Sequence, residues 1–238
     1  INNQEYTYSK GMTLEEIATE HQKDKKFPIL LARVNNRVKE LSSKLKEDCE
    51  IEFLDLTSRE GGRAHTNGLV YIMVYAVKKL FGNDNNIIVQ HSLDKGIYIE
   101  TTFKITENRL KTIKDTMKSI INADMPISKV TIDRLEAIKY FNGIKDYAKA
   151  GVMKYNTNSY ITLYRLGNSY NYFYGPMANC TSRLKDFDFT LVNDYGLVLR
   201  YPTAYSNGKI KEYKHQPNMF AVFKEQRDWA KIMKIENA

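Results

Sequence analysis

Residues 13–24, TLEEIATEHQKD, run into residues 27–35, FPILLARVN, and the reading of that join decides the fold of the first part of the chain. Thr13 with Glu16 three positions on forms a capping box, in which hydroxyl and carboxylate satisfy backbone N–H groups that a helix start leaves open. Leu14 and Ile17 then share the inward stripe. FPILLARVN is an apolar, strand-like run. It ends at Asn35-Asn36, residues that tolerate positive φ and suit a tight turn into RVKEL. IEFLDL at 51–56 sets Ile51, Phe53 and Asp55 against Glu52, Leu54 and Leu56, an imperfect period of two. At the front, INNQEYTY reads as a strand end, an Asn-Asn turn and a second strand, so the numbering is expected to begin inside a first hairpin.

Hairpin, helix, hairpin and closing strand describe a β-grasp module over residues 1–59, followed by a break at Glu60-Gly61-Gly62. From Ala64 to Phe81, Leu69, Ile72, Met73, Ala76, Val77, Leu80 and Phe81 recur at steps of three and four, the mark of a core-facing helix stopped by Gly82. IIVQHS and GIYIETTF form a hairpin across Leu93-Asp94-Lys95-Gly96, and ENRLKTIKDTMKSIINA is a second long helix. Pro126 opens a strand, ISKVTI, and Asp133 caps the helix RLEAIKYFN. Thereafter the signal is β: SYITLYRL, SYNYFY, KDFDFTLV and GLVLRYP. Phe187, Phe189 and Leu191 alternate with polar residues, as in a sheet with one wet face. Helices and an antiparallel sheet in separate blocks make the fold class α+β, with a larger α+β domain over 60–216 and an amphipathic helical connector over 217–238 bearing Phe220, Phe223 and Trp229.

A chain of 238 residues buries enough surface to fold without disulfide or metal. Cys49 and Cys180 are the only cysteines, without C-x-x-C spacing, which suits a reducing, cytoplasmic setting and argues against structural zinc. No apolar run approaches the roughly 18 residues of a membrane span, so no membrane partner is expected. Charge is uneven. Residues 1–60 carry 10 Lys+Arg and 12 Asp+Glu, whereas the rest carries 26 and 16 together with most of the 17 tyrosines. Basic surface interleaved with aromatics suits an RNA or nucleotide partner, through backbone charge and base stacking, and equally suits tyrosine-lined strands kept soluble by lysine. Phosphate-loop, HExxH and GxSxG motifs are absent. His21, His65, His91 and His215 are far apart in sequence, so no metal site is expected. Cys180 stands near Tyr174-Gly175-Pro176 as a candidate nucleophile, although a free cysteine is more often an inert small hydrophobe.

The ordered set KGMTLEEIA, LARVNNRVKELSSKL and IEFLDL resembles a TGS domain, the β-grasp module that opens threonyl-tRNA synthetases. LVYIMVYAVKKLFG, VQHSLDKGIYIE and the Tyr-Gly-Pro turn are similar, in the same order, to the second additional domain of those enzymes, which hydrolyses mischarged tRNA. That family's centre uses an H-x-x-x-H pair on the first helix and a Cys and His around a Gly-Pro turn. Alignment on the KKLF end and on Gly175-Pro176 puts Asn67, Tyr71, Phe173 and Met177 at those positions. Phe and Met supply no proton shuttle or metal ligand, so the resemblance implies a pocket whose hydrolytic chemistry is gone. SREGGRAHTNGLVYIMVYAV and DFDFTLVNDYGLVLRYP also look like bacterial uridine kinase-like proteins. There such domains precede a phosphoribulokinase/uridine kinase domain, whose phosphate loop, ATP and Mg would lie beyond Ala238.

Three expectations follow. The first is a binding or regulatory region: a degenerate pocket of Asn67, Tyr71, His91, Phe173, Tyr174 and Met177, with Arg63, Lys78 and Lys79 for phosphate contacts, holding a nucleotide or RNA end ahead of the chain's own kinase domain. The second is a deacylase rebuilt on Cys180, His65 or His91. The third is architectural, with self-association into a homo-oligomer or docking through the Trp229 helix.

Overall fold

The structure is a computed structural model that describes residue 1, residues 4–93, 96–206 and 208–214, and positions 225, 229 and 233. In chain order its elements are α1 (Leu14–His21), β1 (Leu31–Val34), β2 (Arg37–Glu40), β3 (Ile51–Leu54), α2 (Arg59–Phe81), β4 (Ile87–Leu93), β5 (Gly96–Thr101), α3 (Glu107–Asn122), β6 (Ile127–Asp133), α4 (Arg134–Gly143), α5 (Tyr147–Tyr155), β7 (Tyr160–Leu166), β8 (Ser169–Asn171), β9 (Asp188–Asn193) and β10 (Gly196–Arg200).

Both halves of the Thr13 capping box are present. The Thr13 hydroxyl accepts from the Glu16 N–H at 3.2 Å and the Glu16 carboxylate from the Thr13 N–H at 2.7 Å. α1 packs Leu14, Ile17 and Ala18 against Ile29, Ala32, Ile51 and Phe53 on one face of an antiparallel sheet of order β2-β1-β3. Asn35 and Asn36 make the expected turn, at φ 45° and 63°. The other face of this sheet is also covered, because Leu30, Leu31, Leu54 and Leu56 join the main core beside α2. A strand buried on both faces shows no clean alternation, which accounts for the imperfect period of IEFLDL. The first hairpin differs from expectation: Gln4 to Tyr8 carry no strand, and the Asn2-Asn3 turn lies outside the described residues.

The expected break at Glu60-Gly61-Gly62 is instead the first turn of α2, capped by the Ser58 hydroxyl, which accepts from the Gly61 N–H at 3.0 Å. The glycine signals close approach rather than a loop. A Cβ on Gly61 would stand 1.9 Å from the Asp55 carbonyl oxygen.

Beyond α2 the strands form two antiparallel sheets, β4-β5-β10-β9 and β6-β7-β8, rather than one. Helices are interleaved with them instead of standing in a separate block, because each short sheet needs its own apolar cover. α3 covers the first through Leu110, Ile113 and Met117 in the main core. α4 and α5 cover the second, with Phe141, Ala150 and Met153 on Ile161 and Leu163. α5 is an element that the sequence pattern does not announce. Among the described residues every strand pairing is antiparallel, and the α+β class stands. The Asp94-Lys95 turn, His215, and the 217–238 connector apart from positions 225, 229 and 233 lie outside the described residues. Among the described residues no helix is long and apolar enough to cross a membrane.

Candidate functional site

The site is built where α2 meets the segment leaving β8. Gly175 turns the chain at φ 99°, a conformation side-chain-bearing residues avoid. Tyr164 of β7 holds that turn. Its hydroxyl lies 2.8 Å from the Gly175 carbonyl oxygen and 2.5 Å from Oε1 of Glu40 on β2. The same carboxylate oxygen accepts from the Met177 N–H at 3.0 Å and pairs with the Lys129 ammonium at 3.0 Å. Burial, and then the neighbouring Glu40 carboxylate, push the Tyr164 phenol well above its ordinary pKa.

α2 supplies the opposite wall. Tyr71 is fully buried, its ring 5.4 Å from that of Phe173, and its hydroxyl lies 2.8 Å from each of the carbonyl oxygens of Tyr164 and Ser169. Burial raises this phenol's pKa as well. Met177 is 1% exposed and belongs to the core. One turn before Tyr71, the Asn67 amide donates to the Tyr174 carbonyl at 3.4 Å. One turn earlier still, Arg63 Cδ lies 3.6 Å from where a Cβ on Gly175 would stand. Arg63 is exposed, and Tyr174 is 80% exposed. Buried Tyr71 and Met177 and partly buried Phe173 thus lie beneath a more open rim of Arg63, Asn67 and Tyr174.

Three residues expected here do not join it. His91 is registered opposite Tyr98, and residues directly opposite in an antiparallel pair share a face. That face carries the small Leu93, Tyr98 and Val198 cluster, whereas Ile97 and Ile99 turn the other way, into the main core that holds Tyr71. Lys78 and Lys79 stand 15 and 16 positions beyond Arg63 on one helix, about 22 Å away along its axis. Glu40 and Tyr164, which fix the turn, carry no sequence signal: each reads as an ordinary strand position.

The remaining reactive groups do not converge. Nε2 of His65 lies 3.0 Å from the Lys185 carbonyl oxygen, so it carries the proton, and burial holds the imidazole pKa below its ordinary value. Cys180 Sγ lies 3.4 Å from the Ser182 hydroxyl, and burial pushes the thiol pKa up, opposite to what a nucleophile needs. Among the described residues no group of three or more His, Cys, Asp or Glu is placed to hold a metal ion.

Over 218 residues the chain is 30% identical to the threonine–tRNA ligase of Ehrlichia canis, covering 86% of this chain and 34% of that protein. Other threonine–tRNA ligases are similar to the chain as well. Threonine–tRNA ligase 2 of Bacillus subtilis is 28% identical over 189 residues, 78% of this chain and 30% of that ligase. The Acetivibrio thermocellus threonine–tRNA ligase is 27% identical over 185 residues, 76% of this chain and 29% of that ligase. The chain therefore spans about a third of the length of the ligases it matches. No family model matches it. A kinase parent gains no support from these ligases.

Proposed function

We propose that this chain is the RNA-gripping region of a protein related to threonine–tRNA ligases, holding the acceptor end of a tRNA at the Gly175 turn without hydrolysing an ester there. The observation that carries the reading is the fully buried Tyr71 hydroxyl, which is committed to two backbone carbonyls. General base catalysis needs a group that can take a proton within hydrogen-bond reach of its target. A buried phenol with a raised pKa, a phenyl ring and a thioether offer none. The rim remains suited to binding: the Arg63 guanidinium matches a phosphate, and the Tyr174 ring offers a stacking face.

Filter binding of uncharged tRNA across a salt series tests the grip, with Arg63→Ala and Tyr174→Ala as variants. Affinity should fall with salt, and each variant should weaken it several-fold. Absence of salt-dependent binding at micromolar protein would sink the RNA half. Incubation with serine-mischarged tRNA tests the other half, and release of free serine at a rate proportional to protein would overturn it.

A further inference from the structure

The basic end of α2 borders a different cleft, of about 370 Å³. Tyr75, Lys78 and Lys79 line it from α2, Asn83 follows the helix end, and Tyr140 of α4 and Asn168 of the β7–β8 turn stand across it. Lys78 is half-buried. Its amine is 3.4 Å from the Ile144 carbonyl oxygen, close to the outer limit of a hydrogen bond, and two of its three protons have no acceptor among the described residues. Neighbouring carboxylates are already engaged: Asp146 pairs with Lys149 at 2.8 Å and Asp84 with Lys145. Among the described residues neither Lys78 nor Lys79 makes an ion pair. Burial holds the Lys78 pKa below the ordinary lysine value, with Asp146 opposing and Lys149 adding to the shift.

A half-buried ammonium whose neighbouring carboxylate, Asp146, is already paired with Lys149 is only partly compensated, and an anion in the cleft would complete its site. The remaining lining includes two amides, two phenols and the Ser169 hydroxyl, which can donate to such an anion without adding charge. The volume lies in the range of small-molecule pockets, about 300–1,000 Å³. We propose that this cleft binds the terminal phosphate monoester of a nucleotide, with Lys78 and Lys79 neutralising the phosphate. The competing account makes Lys78 a simple cap on the C-terminal end of α4, through Ile144. The two differ in sign. Removing a cap destabilises the free protein, whereas removing a half-buried, partly compensated charge does not.

Isothermal titration of the whole chain with uridine 5′-monophosphate, inorganic phosphate and uridine decides between them, repeated on Lys78→Met, Lys79→Met and, as a surface control on α3, Lys118→Met. The monophosphate should bind and uridine should not. Each cleft variant should weaken binding at least tenfold with the control unchanged, and ligand-free Lys78→Met should melt no lower than the parent. Short RNA with a 5′-phosphate or a 5′-hydroxyl separates a free nucleotide from an RNA end: the phosphorylated form binding more tightly than the monophosphate assigns the site to an RNA end, and the reverse to a free nucleotide. Uridine or hydroxyl-ended RNA binding as tightly as its phosphorylated counterpart would overturn the proposal. So would a monophosphate affinity indifferent to Lys78→Met, no monophosphate binding by the parent, or a lowered melting point in that variant.

Discussion

Glu40 and Tyr164 meet at 2.5 Å, carboxylate to hydroxyl, across the join between the first sheet and the hairpin that carries the Gly175 turn. They are 124 residues apart in sequence, and the contact brings β2 onto the segment on which the candidate site depends. With the Met177 N–H on the same oxygen, the carboxylate orders both a side chain and the backbone just past Pro176.

Replacing Glu40 by alanine strands the buried Met177 N–H, leaves the Tyr164 hydroxyl only the Gly175 carbonyl, and removes the partner of Lys129. We expect about 3 kcal/mol of destabilisation, at the low end for a broken buried pair because the lysine is half exposed. Glu40→Gln keeps an acceptor oxygen and should cost only about 1–2 kcal/mol. Urea denaturation of both variants checks the order. Equal losses would mean that the site needs the charge rather than the acceptor.

The legibility of the fold depends on whether a signal is local. The Thr13 capping box, the Asn35-Asn36 turn, the stripes of α2 and α3 and the strands β1–β2 and β4–β5 follow from spacing within one element and are present, whereas the strands expected at residues 4–8 are not. Gly61 misleads because a glycine that breaks a helix and one that admits a neighbouring carbonyl look alike in sequence. α5 is hard to see because its inward stripe is short: only Ala150 and Met153 are buried. At the site, Asn67, Tyr71, Phe173, Tyr174 and Met177 fall together, but sequence spacing does not separate floor from rim. Nor does it assign Lys78 and Lys79 to another cleft, since that follows from the length of one unbroken helix.

The helical glycines give opposite signs. Gly61→Ala must push a Cβ into the Asp55 carbonyl at 1.9 Å, and should cost more than about 2 kcal/mol by unseating the first turn of α2. Gly151 lies within α5, where an added Cβ would meet nothing within 4 Å, so Gly151→Ala should stabilise by about 0.5–1 kcal/mol. Thermal melts of the pair provide the check. A neutral Gly61→Ala would show that the start of α2 yields easily.

Cys180 should behave as an inert thiol. Its raised pKa keeps the thiolate scarce at neutral pH, so alkylation by iodoacetamide should be slow at pH 7, rise steadily with pH, and level off at a higher pH than for an ordinary thiol. Cys49, whose pKa is also raised by burial, should follow the same profile. Rapid labelling of Cys180 at pH 7 would restore it as a candidate nucleophile.

Alkaline pH should expose the two buried phenols. Tyr71 and Tyr164 keep their protons in the folded state beyond the ordinary tyrosine pKa near 10, whereas the unfolded chain releases them there. The folded state then binds more protons than the unfolded one, so the stabilisation is complete below about pH 10 and is lost as pH rises beyond it. The slope is about 1.4 kcal/mol per pH unit for each phenol. Tyr164→Phe removes one titrating group and should shallow the decline by that amount while lowering stability at pH 7 by about 1–2 kcal/mol, since Glu40 and Gly175 lose a donor. Urea midpoints measured from pH 8 to 11 on parent and variant decide it. Identical slopes would show that Tyr164 titrates normally, and the sealed join around Gly175 would then have to be open to water.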